Sequence, residues 1–195
     1  MMNLDVVFSG VGGQGVVVLS DIYCEAAMLD GFDVAKAEIH GMAQRGGSIV
    51  AYARIGDKVE SPLIETGRAD VVVGFEILET ARALLMLKAG GTVVVNKKYI
   101  PPSFSASGVK PKKTVELMEI LRSKATVHEV DGSAIALKLG NLLVVNTILL
   151  GALSALPEVP VKQESFQQAI AGRLKEKYVN VNLKAFEAGR KSVLG

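Results

Sequence analysis

Glycines and polar donors cluster early in the chain. The first cluster is FSGVGGQGVVVLSDIY, Phe8–Tyr23. Gly10, Gly12 and Gly15 satisfy G-x-G-x-x-G, with Gly13 and Gln14 inside the turn. Glycines permit a tight strand-to-helix turn and let backbone N–H groups approach an anion at the helix N-terminus. Contact with a phosphate is one reading. The other is that the glycines only let the helix pack close to the first strand. The second cluster is EIHGMAQRGG, Glu38–Gly47. Gln44 and Arg45 are donors, Gly46 and Gly47 allow close backbone approach, and Arg45 can grip a phosphate in bidentate fashion. Arg45 can equally be solvated in a turn, or pair with Glu38 or Glu65.

A dinucleotide needs a ribose-binding acid at the end of strand two, about 20 residues beyond the glycines. Asp33 begins that strand, so Glu38 is the better placed acid. No G-x-x-x-x-G-K-[ST] occurs, and ATP hydrolysis lacks its usual cation and magnesium-binding hydroxyl. His40 and His128 are the only histidines. Glu38 and His40 read either as an acid–base pair or as a structural hydrogen bond. Zinc-ligand spacing and a G-x-S-x-G elbow are both missing. Cys24, the single cysteine, falls inside the first helix and reads as a packed thiol.

The elements that must hold these clusters alternate. Leu4–Gly10 is a strand, Gln14 to about Asp30 a helix, and Phe32–Ala37 a second strand, which completes a βαβ unit. A crossover helix is not next. Ser48–Gly56 alternates, with Ile49, Ala51, Ala53 and Ile55 on one face, then Gly56-Asp57 as a turn and Lys58–Ser61 as a short return strand. Asp70–Gly74 is a buried strand. Glu76–Ala89 is a helix closed by Gly90-Gly91, and Thr92–Asn96 a strand. A polar loop, Lys97–Lys113, leads to helix Thr114–Ser123 and strand Ala125–Val130. Helices occupy the rest. The expected fold is α/β: a three-layer, mainly parallel Rossmann-like sheet with a β-hairpin insertion and a helical C-terminal part. Residues 1–195 read as one domain. Ligands of such sheets bind at the carboxyl ends of strands, where both glycine clusters should lie.

Composition narrows the partners. The chain has 195 residues, net charge +2 and 5% aromatic residues, with no basic cluster longer than Lys110–Lys113. Nucleic acid is not an expected partner, nor is a membrane. Asn141–Leu156 is apolar but shorter than the roughly 20 residues a span takes, and Asn146 interrupts it. One cysteine allows no internal disulfide and no iron–sulfur cluster. The N-terminus has no basic region or cleavage site, and the expected compartment is the cytoplasm.

Four segments together are more distinctive: GVGGQGVVVLSDIYCEAA, AEIHGMAQRGGSIVAYARIG, ADVVVGFEILETARAL and GGTVVVN. They resemble the gamma-type subunit of 2-oxoacid:ferredoxin oxidoreductases, and within that family the beta subunit of indolepyruvate ferredoxin oxidoreductase. Gly41–Ile49 matches the discriminating G-[MS]-[AS]-Q-R-G-G-x-[VI] signature, and Val145–Leu153 resembles the C-terminal helix. The resemblance implies a complex that oxidatively decarboxylates a 2-oxoacid to an acyl-CoA and reduces ferredoxin. Thiamine diphosphate and 4Fe–4S clusters would belong to a large alpha subunit. This chain would help to position coenzyme A and the partner's thiamine site, through Gly10, Gly12, Gly13, Gln14, Gly15, Gln44, Arg45, Gly46 and Gly47. The isolated chain would be inactive, and surfaces meant for its partner would leave it able to form a homodimer. The alternative is a free-standing nucleotide-binding protein or a small NAD(P)-dependent dehydrogenase, resting on G-x-G-x-x-G and Glu38.

Overall fold

A computed structural model describes residues 3–41, 46–101 and 113–195. The sheet is built from β1 (Asn3–Val11), β2 (Asp33–His40), β3 (Ser48–Gly56), β4 (Ala69–Gly74), β5 (Leu87–Asn96) and β6 (Thr126–Val130). Its order is β2-β3-β1-β4-β5-β6. β1, β4, β5 and β6 pair in parallel, and only β3 runs against its neighbours. Alternating side chains divide two cores. Leu4, Val6 and Phe8 of β1, with Val71, Val73 and Val94, face one helical layer. Val7, Val72, Val93 and Val95 face the other. Both faces being buried, β4 and β5 read as continuous valine runs.

The first layer holds α1 (Val16–Leu29), α4 (Gly132–Lys138), α5 (Val145–Ser154), α6 (Gln163–Arg173) and α7 (Glu176–Leu194). Phe8, Tyr23, Phe166 and Phe186 form a buried aromatic column across it, with successive centroids 5.7, 6.2 and 5.6 Å apart. α5 and α7 touch backbone to backbone. A Cβ on Gly189 would stand 1.9 Å from the Ile148 carbonyl oxygen, and one on Gly151 2.0 Å from that of Phe186. The opposite layer holds α2 (Ile77–Ala83) and α3 (Thr114–Lys124). Ile148, Leu149 and Leu150 are fully buried, so the apolar segment is a core helix. No described helix is long and apolar enough to cross a membrane.

Two expectations need correction. Lys58–Ser61 is not a strand. β3 already has β1 on one side and β2 on the other, so no edge remains for a return strand. The segment is held instead by Val59 N–H donating to Asp33 Oδ2 (2.8 Å) and Arg54 Nη1 to the Ser61 carbonyl (3.2 Å). The antiparallel insertion is thus the β2–β3 pair. The helix expected to Ala89 ends at Ala83, followed by a 3-10 turn, Leu84–Met86. Gly90-Gly91 lies inside β5, where the ladder with β4 shifts register between Ala69 and Val71. Gly90 has φ +73°, and a Cβ on Gly91 would meet Leu87 Cδ1 at 2.6 Å. The glycine pair therefore accommodates a strand irregularity rather than a helix end.

Candidate functional site

Parallel strands bring the ends of β1, β4, β5 and β6 to one edge, together with the end of β2 and the start of β3. The two glycine clusters meet there: Gly12 N–H donates to the Gly47 carbonyl at 2.9 Å. Gly10 closes β1 under severe packing constraint. Its Cβ would meet Phe75 Cβ at 2.8 Å and Val16 Cγ2 at 2.9 Å. Gly15, at φ +85°, caps α1 against Asn146, whose Nδ2 would be 2.9 Å from an added Cβ. These two glycines have a packing reason. Gly12 and Gly13 do not: a Cβ on Gly12 meets nothing nearer than 3.6 Å, and Gly13 (φ +95°) opens on free space. Gly46 has φ +73° beside this opening. Gln44 and Arg45 lie outside the described residues.

Gln14 holds the loop shut. Its Oε1 accepts from Val11 N–H (2.7 Å), and its Nε2 donates to the Phe75 carbonyl (3.4 Å). Asn96, ending β5, donates to the same carbonyl (3.1 Å) and accepts from Gly132 N–H (3.1 Å). One carbonyl thereby ties β1, β5 and α4 together at the end of β4. Beside it Glu76 is 1% exposed and caps α2, accepting from Leu78 N–H (3.1 Å), Glu79 N–H and Ile100 N–H (3.4 Å). Burial pushes its carboxyl above the usual range, against the pull of those N–H bonds. Glu76 thus pins the start of the loop after β5.

Gly13, Gln14, Phe75, Asn96, Lys98, Ser133, Leu142, Leu143 and Val145 surround a cavity of about 220 Å³. Lys98 is exposed, and among the described residues no carboxylate pairs with it. Leu142 and Leu143 are 62% and 85% exposed on the rim. Sequence reading missed Asn96, Lys98, Ser133 and the leucines. Asn96 and Lys98 carried a usable signal, because they end and follow a buried strand whose carboxyl end should face a ligand.

The remaining titratable candidates are committed elsewhere. Glu38 accepts from Lys36 Nζ (2.6 Å) and lies 3.0 Å from His40 Nε2. The Lys36 bond lowers its carboxyl's pKa, against burial, and His40 lowers it further. Cys24 is buried in the first core, and burial pushes its thiol up to about 12. It is inert as a nucleophile at neutral pH. Among the described residues no cluster of histidine, cysteine and carboxylate groups can hold a metal.

Residues 5–192 match the pyruvate ferredoxin/flavodoxin oxidoreductase family. The chain belongs to that family. Indolepyruvate oxidoreductase subunit IorB of Methanothermobacter thermautotrophicus is 40% identical over 190 residues, which cover 96% of each chain. IorB of Thermococcus kodakarensis is 34% identical over 195 residues, covering 98% of this chain and 96% of that one. The gamma subunit of a keto/oxoacid ferredoxin oxidoreductase from Geobacter sulfurreducens superposes with TM-score 0.73 at 25% identity, covering 98% of both chains. The 2-oxoglutarate:ferredoxin oxidoreductase from Magnetococcus marinus, solved with 2-oxoglutarate, coenzyme A and succinyl-CoA bound, shares the fold at TM-score 0.77 and 20% identity. It covers all of this chain and 31% of its own. The overall fold is thus shared with the Geobacter gamma subunit over nearly the whole of both chains.

Proposed function

We propose that this oxidoreductase subunit serves an indolepyruvate:ferredoxin oxidoreductase, and that its glycine-loop edge positions coenzyme A against a thiamine-bearing partner. Similarity to the IorB subunits, across nearly the whole of both chains, supports the arylpyruvate substrate. Residues 1–195 act as one gamma-type domain in the cytoplasm. In the overall reaction the 2-oxoacid loses its carboxylate as carbon dioxide, ferredoxin takes the electrons released at the acyl carbon, and the CoA thiol receives the acyl group. Thiamine diphosphate, held by the large alpha subunit with the 4Fe–4S clusters, supplies carbanion stabilisation when bound. This chain's own groups place and shield.

The observation that carries the positioning role is a half-built site. A cavity of about 220 Å³ falls below the roughly 300–1,000 Å³ of complete ligand pockets. Its wall offers the open backbone at Gly13, the Lys98 ammonium and the Ser133 hydroxyl, which suit a phosphate. Its rim offers Leu142 and Leu143, which suit a partner surface. Gln44 and Arg45 would join the anion contacts. A ligand as long as CoA would need a second wall, and the partner subunit would supply it.

Co-purification with the alpha subunit, then indolepyruvate- and CoA-dependent ferredoxin reduction, tests the assignment. Lys98→Ala should raise the KM for CoA several-fold and leave the KM for indolepyruvate in place. An alpha subunit that turns over fully without this chain would refute the subunit role. An unchanged CoA KM in Lys98→Ala would refute the positioning role.

A further inference from the structure

β2 ends the sheet, and its outer backbone groups have no strand partner among the described residues. Such an edge is a template for another strand. β2 is eight residues long and contains no proline, and Ile39 on it is 53% exposed. Its usual protection against pairing would be an outward lysine, but Lys36 folds back to Asp21 and Glu38 and is 17% exposed.

The sequence of the strand decides what it fits. In a twofold-symmetric antiparallel pair, one residue lies on the axis and the others meet at equal offsets from it. With Lys36 on the axis, two ammonium groups face each other; with Glu38, two carboxylates do. With Ala37 on the axis, the pairing spans nearly the whole strand and every opposition is compatible. Lys36 meets Glu38 of the second copy, and Glu38 meets its Lys36. Ala35 meets Ile39, and Val34 meets His40. Opposite charges in directly facing positions stabilise a pair, and like charges there destabilise it.

We propose that two copies of this chain associate through β2, antiparallel and in register about Ala37, to form one continuous sheet. The interface is isologous, so it closes as a dimer. It lies beyond β3 from the cavity, and it stands whether or not the glycine loops hold CoA.

Sedimentation of the purified full chain at micromolar concentration should give about twice the monomer mass of 20.6 kDa. Lys36→Glu alone sets carboxylate against carboxylate at both symmetry-related contacts, and Glu38→Lys alone sets ammonium against ammonium at both. Each variant should sediment as a monomer. An equimolar mixture of the two should dimerise again, because each chain then complements the other. Rescue by mixing has no explanation within a single chain. As a second readout, Ala37→Cys should cross-link across the axis under oxidation, since facing Cα atoms in an antiparallel pair lie within disulfide reach. Ile39→Cys, offset from its symmetry mate, should not. A wild-type monomer, a mixture that stays monomeric while both variants are folded, or equal cross-linking at Ala37→Cys and Ile39→Cys would overturn the proposal.

Discussion

Gly10→Ala and Gly12→Ala separate the packing role of the glycine loop from its proposed ligand role. At Gly10 the new methyl would lie 2.8 Å from Phe75 Cβ and 2.9 Å from Val16 Cγ2, both anchored in the core. Overpacking of this kind costs about 1–3 kcal/mol. For a chain of this length each kcal/mol moves Tm by roughly 2–4 °C, so Gly10→Ala should lower Tm by about 2–12 °C. At Gly12 the nearest atoms are Gly46 N at 3.6 Å and Gly47 O at 3.7 Å, which is ordinary contact. The backbone is not left-handed there. Gly12→Ala should therefore change stability by no more than about 0.5 kcal/mol and Tm by about 2 °C or less. Its methyl would project between the two glycine loops, toward Gly46 and Gly47, and would crowd a phosphate seated against Gly13. Loss of one hydrogen bond, about 1–1.5 kcal/mol, raises a KM about tenfold. The assays are thermal denaturation of the isolated chain and the CoA dependence of the reconstituted complex. If Gly12→Ala destabilises as much as Gly10→Ala, the space between the two glycine loops is not open. If it leaves the CoA KM unchanged, the loop is a packing device and nothing more.

Three further outcomes concern the core and its margins. Tyr23 is fully buried, and among the described residues its hydroxyl has no hydrogen-bond partner; Tyr23→Phe should raise stability by about 1 kcal/mol, read as a higher urea midpoint. Gly189→Ala sets a methyl against the Ile148 carbonyl where neither helix can yield, and should cost at least about 3 kcal/mol; wild-type stability in that variant would mean that α5 and α7 do not pack as described. Asp30 gives a pH signature. Burial pushes its carboxyl up, but bonds from Lys162 N–H (2.6 Å) and Ser165 Oγ (2.7 Å) outweigh it, so the pKa is lowered. Its stabilisation is complete above the unfolded value, about 3.9, and disappears as pH falls through the lower folded value. Asp30→Asn should lose stability at pH 7 and show a shallower decline than wild type below about pH 4; parallel curves would remove Asp30 from the account.

The strands were legible because their faces differ little in hydrophobicity. Val71–Val73 and Val93–Val95 are buried on both sides, and no other element accommodates such runs between glycines and polar residues. The apolar helix was legible from Ile148–Leu153, and both glycine clusters from their place at strand ends. Errors arose where one residue type serves two geometries. Gly90-Gly91 looks the same in sequence whether it ends a helix or relaxes a strand, and only the β4 ladder decides. Lys58–Ser61 failed because a strand needs an unoccupied edge, and occupancy is a tertiary fact. Lys98 and Ser133 are far apart in sequence and join one wall only when β5 and α4 meet at Asn96.

The inserted strand also weighs against a dinucleotide on the glycine loop. In a dinucleotide fold β2 lies beside β1, and its terminal acid reaches the ribose of a nucleotide whose pyrophosphate rests on the glycine loop. Here β3 occupies that place and displaces β2 by one strand, about 4.8 Å. Glu38 is thus two strands from Gly10, at roughly 10 Å across the sheet. Its carboxylate is also engaged by Lys36 and His40. In the acid's place stands the start of β3, where Ser48 Oγ donates to Glu79 Oε2 at 2.5 Å and Gly47 is hydrogen-bonded to Gly12. The Gly12–Gly47 bond closes this side of the loop, and no acid at the end of β2 stands beside it to accept from a ribose hydroxyl. One antiparallel strand is enough to take the ribose contact away from an otherwise complete glycine fingerprint.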